Sequence, residues 1–443
     1  MSPVAAEPKR ARGRTFSSLR NRNYRLFATG QVVSNSGTWM QRTAQDWLVL
    51  ELSHGSGAAL GIAAGLQFLP LLLFSLWGGA IADRFPKRRV LLLTQGLMGG
   101  LALILGLLAI TGTVRLWQVY LLALALGMVT VVDNPTRQTF VTEMVGQPDM
   151  SNAIALNSAI FNLARIAGPA VAGIVISLVG TPTAFLLNAA SYGAVITGLL
   201  LMRPADLNPV RRMPRAKGQL REALSYLKGE PRIWLPMTML FFVATFGMNF
   251  QVTTALVSRG TFHTGAGAFG LASTAYAAGA LIGALLAARR RRPSVRLQVA
   301  VALAFGILET ASGLMPFYWS FLLLLIPTGL AVVLYTTAAN SATQLGTKPQ
   351  MRGRVMGVYM LVFLGGAPIG SPLIGWIAGQ FGPRMSLIAG GVVSALAAVV
   401  VGLVLSRITG TTVRDGLRPL SQLRPGPRRS LAPVAEAEGE VAA

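Results

Sequence analysis

Gln31, Asn35, Thr38, Arg42, Gln45 and Asp46 lie in one otherwise apolar stretch. At 100° per residue they occupy an arc of about 100° on a helix. Amides and hydroxyls on such a stripe offer hydrogen bonds. Asp46 can exchange a proton or hold a cation, and Arg42, four residues earlier, can pair with it. Two readings stay open: a site that binds cargo and couples it to protons, or a structural ion bridge at the outer end of a bundle. Phe242, Phe246, Asn249 and Thr253 form a second stripe, aromatic and weakly polar, without charge. Glu309 stands well inside an apolar run, as a protonated structural group or a second coupling carboxylate. Arg165 shares a face of about 60° with Ser158, Asn162 and Pro169. It calls for an acid, with Asp133 and Glu143 the candidates.

The residues that must position these groups are overwhelmingly apolar. Of 443 residues 53% are hydrophobic and only 12% charged, about half the charge of a soluble domain. The net charge of +24 would suggest nucleic acid in a soluble protein. Here the bases sit between apolar runs, which excludes that partner. With no cysteine, disulfides and thiolate sites are excluded. His54 and His263 have no second ligand nearby in sequence, so no metal is expected. The Gly-x4-Gly-Lys-Ser/Thr phosphate loop is absent, so ATP is not the energy source. No cofactor is expected; the partners are a small molecule, protons and membrane lipid, and the chain is read as a monomer.

A bilayer core of roughly 30 Å needs about 20 mostly apolar residues per helix. Twelve runs fit: about 26–50, 58–82, 90–110, 117–136, 153–178, 183–202, 234–257, 267–288, 297–315, 317–338, 355–379 and 386–405. Of the 39 Lys and Arg, thirty-four fall in the tails and the loops on one side. Three (Arg115, Arg259, Arg384) fall on the other, and Arg42 and Arg165 lie inside spans. The positive-inside rule then puts both termini in the cytoplasm. The chain divides into a basic tail (1–25), a six-helix bundle (26–202), a linker with an amphipathic helix carrying Leu220, Leu224 and Leu227 (203–233), a second six-helix bundle (234–405) and a disordered tail (406–443).

The bundles are repeats. The run from His54 to Gly61 matches that from His263 to Gly270. Gly146-Gln-Pro-Asp-Met150 resembles Gly346-Thr-Lys-Pro-Gln-Met351, and Pro169 with Gly173 resembles Pro372 with Gly375.

Between the second and third spans stands Gly79-Ala-Ile-Ala-Asp83-Arg84-Phe-Pro86-Lys87-Arg88-Arg89. It is similar to the loop motif of the major facilitator superfamily, with Pro86 where the family usually has Gly. Ala167-Gly168-Pro169-Ala-Val-Ala-Gly173 resembles the Gly-Pro motif of that superfamily's exporters, in degenerate form. Asn134-Pro135-Thr136-Arg137, Arg352-Gly353-Arg354-Val355 and Gly366-Ala-Pro368-Ile-Gly370 resemble a bacterial branch of enterobactin-exporter-like proteins and transmembrane secretion effectors. The resemblance implies an all-α membrane protein of twelve helices in two pseudo-symmetric bundles. Between them lies a cavity opening alternately to either side, lined by helices 1, 4, 7 and 10.

On that reading Gln31, Asn35, Thr38, Arg42, Phe246 and Asn249 contact substrate, and Asp46 and Glu309 are the coupling carboxylates. Asp83, Arg84, Arg88, Asp133 and Arg137 form a cytoplasmic gate at the inner ends of helices 2 and 4. Gly168, Pro169 and Gly173 allow the fifth helix to bend and approach its neighbours. The basic residue usual within the family's fourth helix is missing between 117 and 136.

The expected function is proton-coupled export of an amphipathic drug, siderophore or secondary metabolite across the bacterial inner membrane. An importer, or a sensor or assembly protein that no longer transports, are the alternatives, and none of these is an enzyme. The topology is directly testable in this cysteine-free chain. Gly55→Cys and Gly180→Cys should react with an impermeant thiol reagent in intact cells, and Thr412→Cys should not. The opposite pattern overturns the orientation.

Overall fold

The computed structural model describes residues 16–208, 219–289 and 295–409. Residues 1–15 of the basic tail, linker residues 209–218, Arg290 to Arg292 and the C-terminal tail from 410 lie outside them. The regular structure is helical, with no strand among the described residues. The first half comprises α1 (Arg22–Leu52), α2 (Gly57–Arg84), α3 (Lys87–Ile110), α4 (Leu116–Gly146), α5 (Asp149–Val179) and α6 (Thr181–Leu201). A linker helix, Gln219–Lys228, leads to α7 (Pro231–Gly260), α8 (Ala266–Ala288), α9 (Val295–Leu314), α10 (Tyr318–Gly346), α11 (Arg352–Phe381) and α12 (Pro383–Thr409). Among the described residues eleven helices are long and apolar enough to cross a membrane, and α1 is too polar to count among them.

Local chemistry sets the breaks. The Asn21 side chain accepts from Tyr24 N (3.2 Å) at the start of α1, and Ser56 Oγ from Ala59 N (3.3 Å) at the start of α2; each satisfies a donor the helix cannot. Among the described residues only two non-glycine residues have positive φ, and they are repeat partners: His54 between α1 and α2, and His263 between α7 and α8, both at 53°. Gly180 (84°) and Gly382 (94°) make the equivalent turns before α6 and α12, in a region that favours glycine.

One predicted span is too short. Instead of ending near 136, α4 continues to Gly146, whose φ of 67° makes the break. Phe140, Val141 and Met144 are buried against Tyr24 and Phe27 of α1. This packing keeps the segment helical although Asp133, Pro135 and Arg137 resemble a polar loop in sequence.

The two halves meet along two seams, α2 with α11 and α5 with α8. Under the six-helix repeat α2 corresponds to α8 and α11 to α5, so each seam is the symmetry image of the other. The matched sequence motifs are what meet. Gly57, Gly61 and Gly65 of α2 lie on Gly375, Ser371, Pro372 and Pro368 of α11, while Gly270 of α8 lies on Pro169 and Gly173 of α5. A Cβ on Gly270 would stand 2.5 Å from the Pro169 carbonyl oxygen and 2.9 Å from Gly173 Cα. Small residues are what permit backbones to approach this closely.

These contacts lie away from the termini, between Gly57 and Leu72 on α2 and between Ile166 and Ser177 on α5. Toward the linker, Leu73, Phe74, Trp77 and Ile81 of α2 and Ile154 and Phe161 of α5 are exposed. The halves are closed at the far end and parted at the linker end. The linker helix packs on the second half: Ala223 and Leu227 are buried, and Glu222 pairs with Arg354 at 2.5 Å. Leu224, expected on the apolar face, is exposed, because the docking face is turned toward protein.

Gly61→Ala should lower the thermal midpoint of the purified protein, at a cost of ~1–3 kcal/mol for overpacking. Gly96→Ala on α3, where a Cβ meets nothing within 4 Å, should leave the midpoint unchanged or raise it. Equal midpoints for the two variants would contradict the seam.

Candidate functional site: the polar face of α1 and its neighbours

Asp133 of α4 is fully buried. It accepts from Thr94 Oγ1 (2.7 Å) and Gln95 Nε2 (2.8 Å) of α3 and pairs with Arg137, one turn along α4. Arg137 Nη1 donates to Gln31 Oε1 (2.8 Å) and Asn35 Oδ1 (3.1 Å) on α1. In this structure these two expected gate residues are engaged with α1 and α3. With α4 running to Gly146, Asp133 and Arg137 stand inside the helix and bind α1 and α3, so the fourth helix does contain a basic residue.

Arg88 donates through Nε (2.6 Å) and Nη2 (3.0 Å) to the Leu199 and Leu200 carbonyls at the end of α6. Lys87 pairs with Glu143 at 2.5 Å. Asp83 and Arg84 are exposed at the end of α2.

Further along α1, Thr38 Oγ1 lies 3.3 Å from Tyr192 Oη, and Gln41 Oε1 accepts from Asn188 Nδ2 (2.5 Å), both partners on α6. Arg42 and Asp46 form no ion pair with each other. The Arg42 guanidinium lies over the Trp39 ring at 4.9 Å and near Phe68 of α2 at 5.8 Å, a cation–π arrangement. Asp46 lies against Gln251 of α7, with Oδ2 buried and without a partner. One residue on, Trp47 stacks on Phe269 of α8 (6.2 Å) under the Arg259 guanidinium (5.5 Å). Arg165 has neither expected acid, since Asp133 is held by Arg137 and Glu143 by Lys87. It faces Tyr276 of α8.

In the second half, α7 makes a π-turn over Val243–Gly247. The wider turn shifts the 100° register, so the predicted stripe splits. Phe242 and Phe246 stack at 6.5 Å and remain partly exposed. Asn249 is buried, donating to the Thr245 carbonyl (2.7 Å) and accepting from Ser371 Oγ of α11 (2.9 Å).

Glu309 of α9 is fully buried, and neither carboxyl oxygen has a hydrogen-bond partner. It fits against backbone: a Cβ on Gly247 would stand 2.9 Å from Oε2, and one on Gly390 2.8 Å from Oε1. Ser394 of α12 and Tyr276 lie beside it. The helix positions of Gly168 and Gly173 also resolve. α5 stays helical through them, Gly168 packs on Trp39 and Gly173 on Gly267. At the linker end a crevice of about 310 Å³ opens between α10 and α11, lined by Thr336, Asn340, Tyr359 and Phe363 among others.

Sequence reasoning missed Gln251, Tyr276, Ser394 and Trp39 as neighbours of the charged groups. Gly247 and Gly390, which make room for Glu309, carry no signal before the helices are docked. The Asp133–Arg137 pair yields a measurable expectation. Arg137→Ala leaves a buried carboxylate uncompensated and should cost about 3–5 kcal/mol; Asp133→Asn with Arg137→Gln should recover much of it, both read as thermal midpoints. A single variant as stable as the parent would remove the pair from the structural core.

Comparisons with known proteins agree with this architecture. The family described as transmembrane secretion effector matches residues 13–422. The multidrug efflux pump Tap of Mycobacterium tuberculosis is 28% identical over 403 residues, 86% of this chain and 92% of that one. The staphyloferrin A transporter of Staphylococcus aureus is 28% identical over 256 residues, 56% of this chain, which spans 63% of that protein's length. Among solved structures, a bacterial homologue of the human lysosomal transporter Spinster, inward-facing and unoccupied, superposes with a TM-score of 0.70 at 15% identity, covering 86% of this chain and 96% of that one. With its paired six-helix halves, its matched seams and this family match, the chain belongs to the transmembrane secretion effector family of major facilitator transporters.

Proposed function

We propose that this multi-pass transporter exports an amphipathic small molecule from the bacterial cytoplasm by alternating access, driven by proton entry. The carrying observation is that Asp46 and Glu309 are buried in opposite halves and bound in no ion pair, whereas Asp133 is held by three partners. A carboxyl group with no structural commitment can exchange a proton as its surroundings change between states. The distribution of Lys and Arg supports a cytoplasmic linker end, which makes the present state inward-facing, with the cavity offered to cargo inside the cell. The efflux activity in the printed name of Tap supports the direction. The path runs between the two halves of one chain, so a monomer suffices. Arg42 and Phe246 flank it as contacts, and Asp83 and Arg84 close its cytoplasmic mouth in the opposite state.

Proteoliposomes separate coupling from binding. Asp46→Asn should abolish uphill export driven by a pH gradient while sparing downhill exchange, since exchange needs the cavity but no net proton movement. Glu309→Gln is the parallel variant. If both still concentrate a fluorescent cargo at the parent level, neither carboxyl carries the coupling proton.

A further inference from the structure

Two cations in the membrane region form no ion pair among the described residues; Asp46, one turn from Arg42, acts on it only from beyond ion-pair distance and is engaged by Gln251. Arg137 is paired with Asp133, but neither Arg42 nor Arg165 has a carboxylate within ion-pair distance among the described residues, and the Nε of each is buried without a partner. An uncompensated arginine at membrane depth costs roughly 2.5–3.5 kcal/mol on insertion scales. Such a group is tolerated where it meets water or a ligand.

The two arginines share a scaffold. Trp39 carries the Arg42 guanidinium on its face and meets Phe161 of α5 edge-on at 5.8 Å. Gly168 of α5 packs against the Trp39 Cβ. Arg165 stands between those two contacts, one turn from Phe161 and one from Gly168, and faces Tyr276 across the interface. The place is the ceiling of the opening. Toward the linker, Thr274 Oγ1 donates to the Ile166 carbonyl across the seam (3.4 Å), and Arg165 and Tyr276 lie one step further toward the linker. Both arginines, Trp39 and Tyr276 are half-buried there and Phe161 is exposed.

From this geometry we infer that Arg42 and Arg165 form the anion-binding part of the cargo site, and that the cargo is an aromatic or other flat amphipathic molecule bearing a carboxylate. Guanidinium groups bind carboxylates through paired hydrogen bonds, and the rings of Trp39 and Phe161 supply the apolar floor that such a body needs. The inference rests on the transport reading and fixes the charge of what is carried.

The test uses the full chain in phosphatidylcholine nanodiscs, with three near-isosteric probes measured by equilibrium dialysis against empty discs: naphthalene-1-acetate, naphthalene-1-acetamide and 1-naphthylmethylammonium. The acetate should bind about tenfold or more tighter than the other two, a difference of about 1.4 kcal/mol. Arg42→Gln and Arg165→Gln should each weaken the acetate severalfold and leave the acetamide unchanged, which also reports that the variants are folded; Arg165→Lys should lose less. Acetate affinity should be the same in discs containing phosphatidylglycerol. Equal or tighter binding of the ammonium, no binding of any probe, or an anion preference that survives the double Gln variant overturns the inference. A fall in acetate affinity with phosphatidylglycerol does so too, by assigning the arginines to a lipid headgroup. The dialysis carries no gradient. It can therefore fail while vesicles still export, or succeed while vesicles prove to run inward.

Discussion

A membrane helix as polar as α1 is stable only if protein or water, and not lipid, meets its polar face. That requirement organises the first half. The side-chain oxygens of Gln31 and Asn35 accept from Arg137, whose charge is in turn balanced by Asp133, which is held by Thr94 and Gln95. Thr38 and Gln41 are satisfied by α6. One unfavourable helix thereby ties α3, α4 and α6 to itself through bonds that water cannot easily replace. The cohesion of the first half is a result of this need.

The remaining membrane charges follow a different rule. Asp133 and Arg137 neutralise each other within one turn, while Arg42, Asp46, Arg165 and Glu309 are each held by aromatic rings, amides or bare backbone. They are also divided unequally. Both uncommitted bases belong to the first half, and the only acid of the second half's membrane core discussed above, Glu309, sits behind the π-turn of α7.

The internal repeat was legible in the sequence down to the residues in contact. Gly61 with Pro372 and Gly375, and Gly270 with Pro169 and Gly173, are matched motifs that turn out to face each other, because only backbones without bulky side chains can form such seams. The hydrophobic runs located the helices for the same reason that lipid does. What could not be read were features decided by docking. The end of α4 depends on burial of Phe140 and Met144, and the stripe on α7 is broken by a π-turn that no local propensity announces. Arg42 and Asp46 have pairing geometry in sequence, but their choice of Trp39 and Gln251 depends on rings and amides brought in by other helices.

The seams have a mechanical consequence. Gly57, Gly61, Gly65, Gly173, Gly267 and Gly270 leave smooth backbone surfaces where the halves touch, with no long side chains interlocked and no ion pair among the residues that meet there. Such surfaces behave as a pair of plain bearings and not as a clasp. On the alternating-access reading proposed above, one half would roll on the other at both images of the seam together, and the contacts it must break are those of the aromatic cap where Arg259, Trp47 and Phe269 stack at the far end.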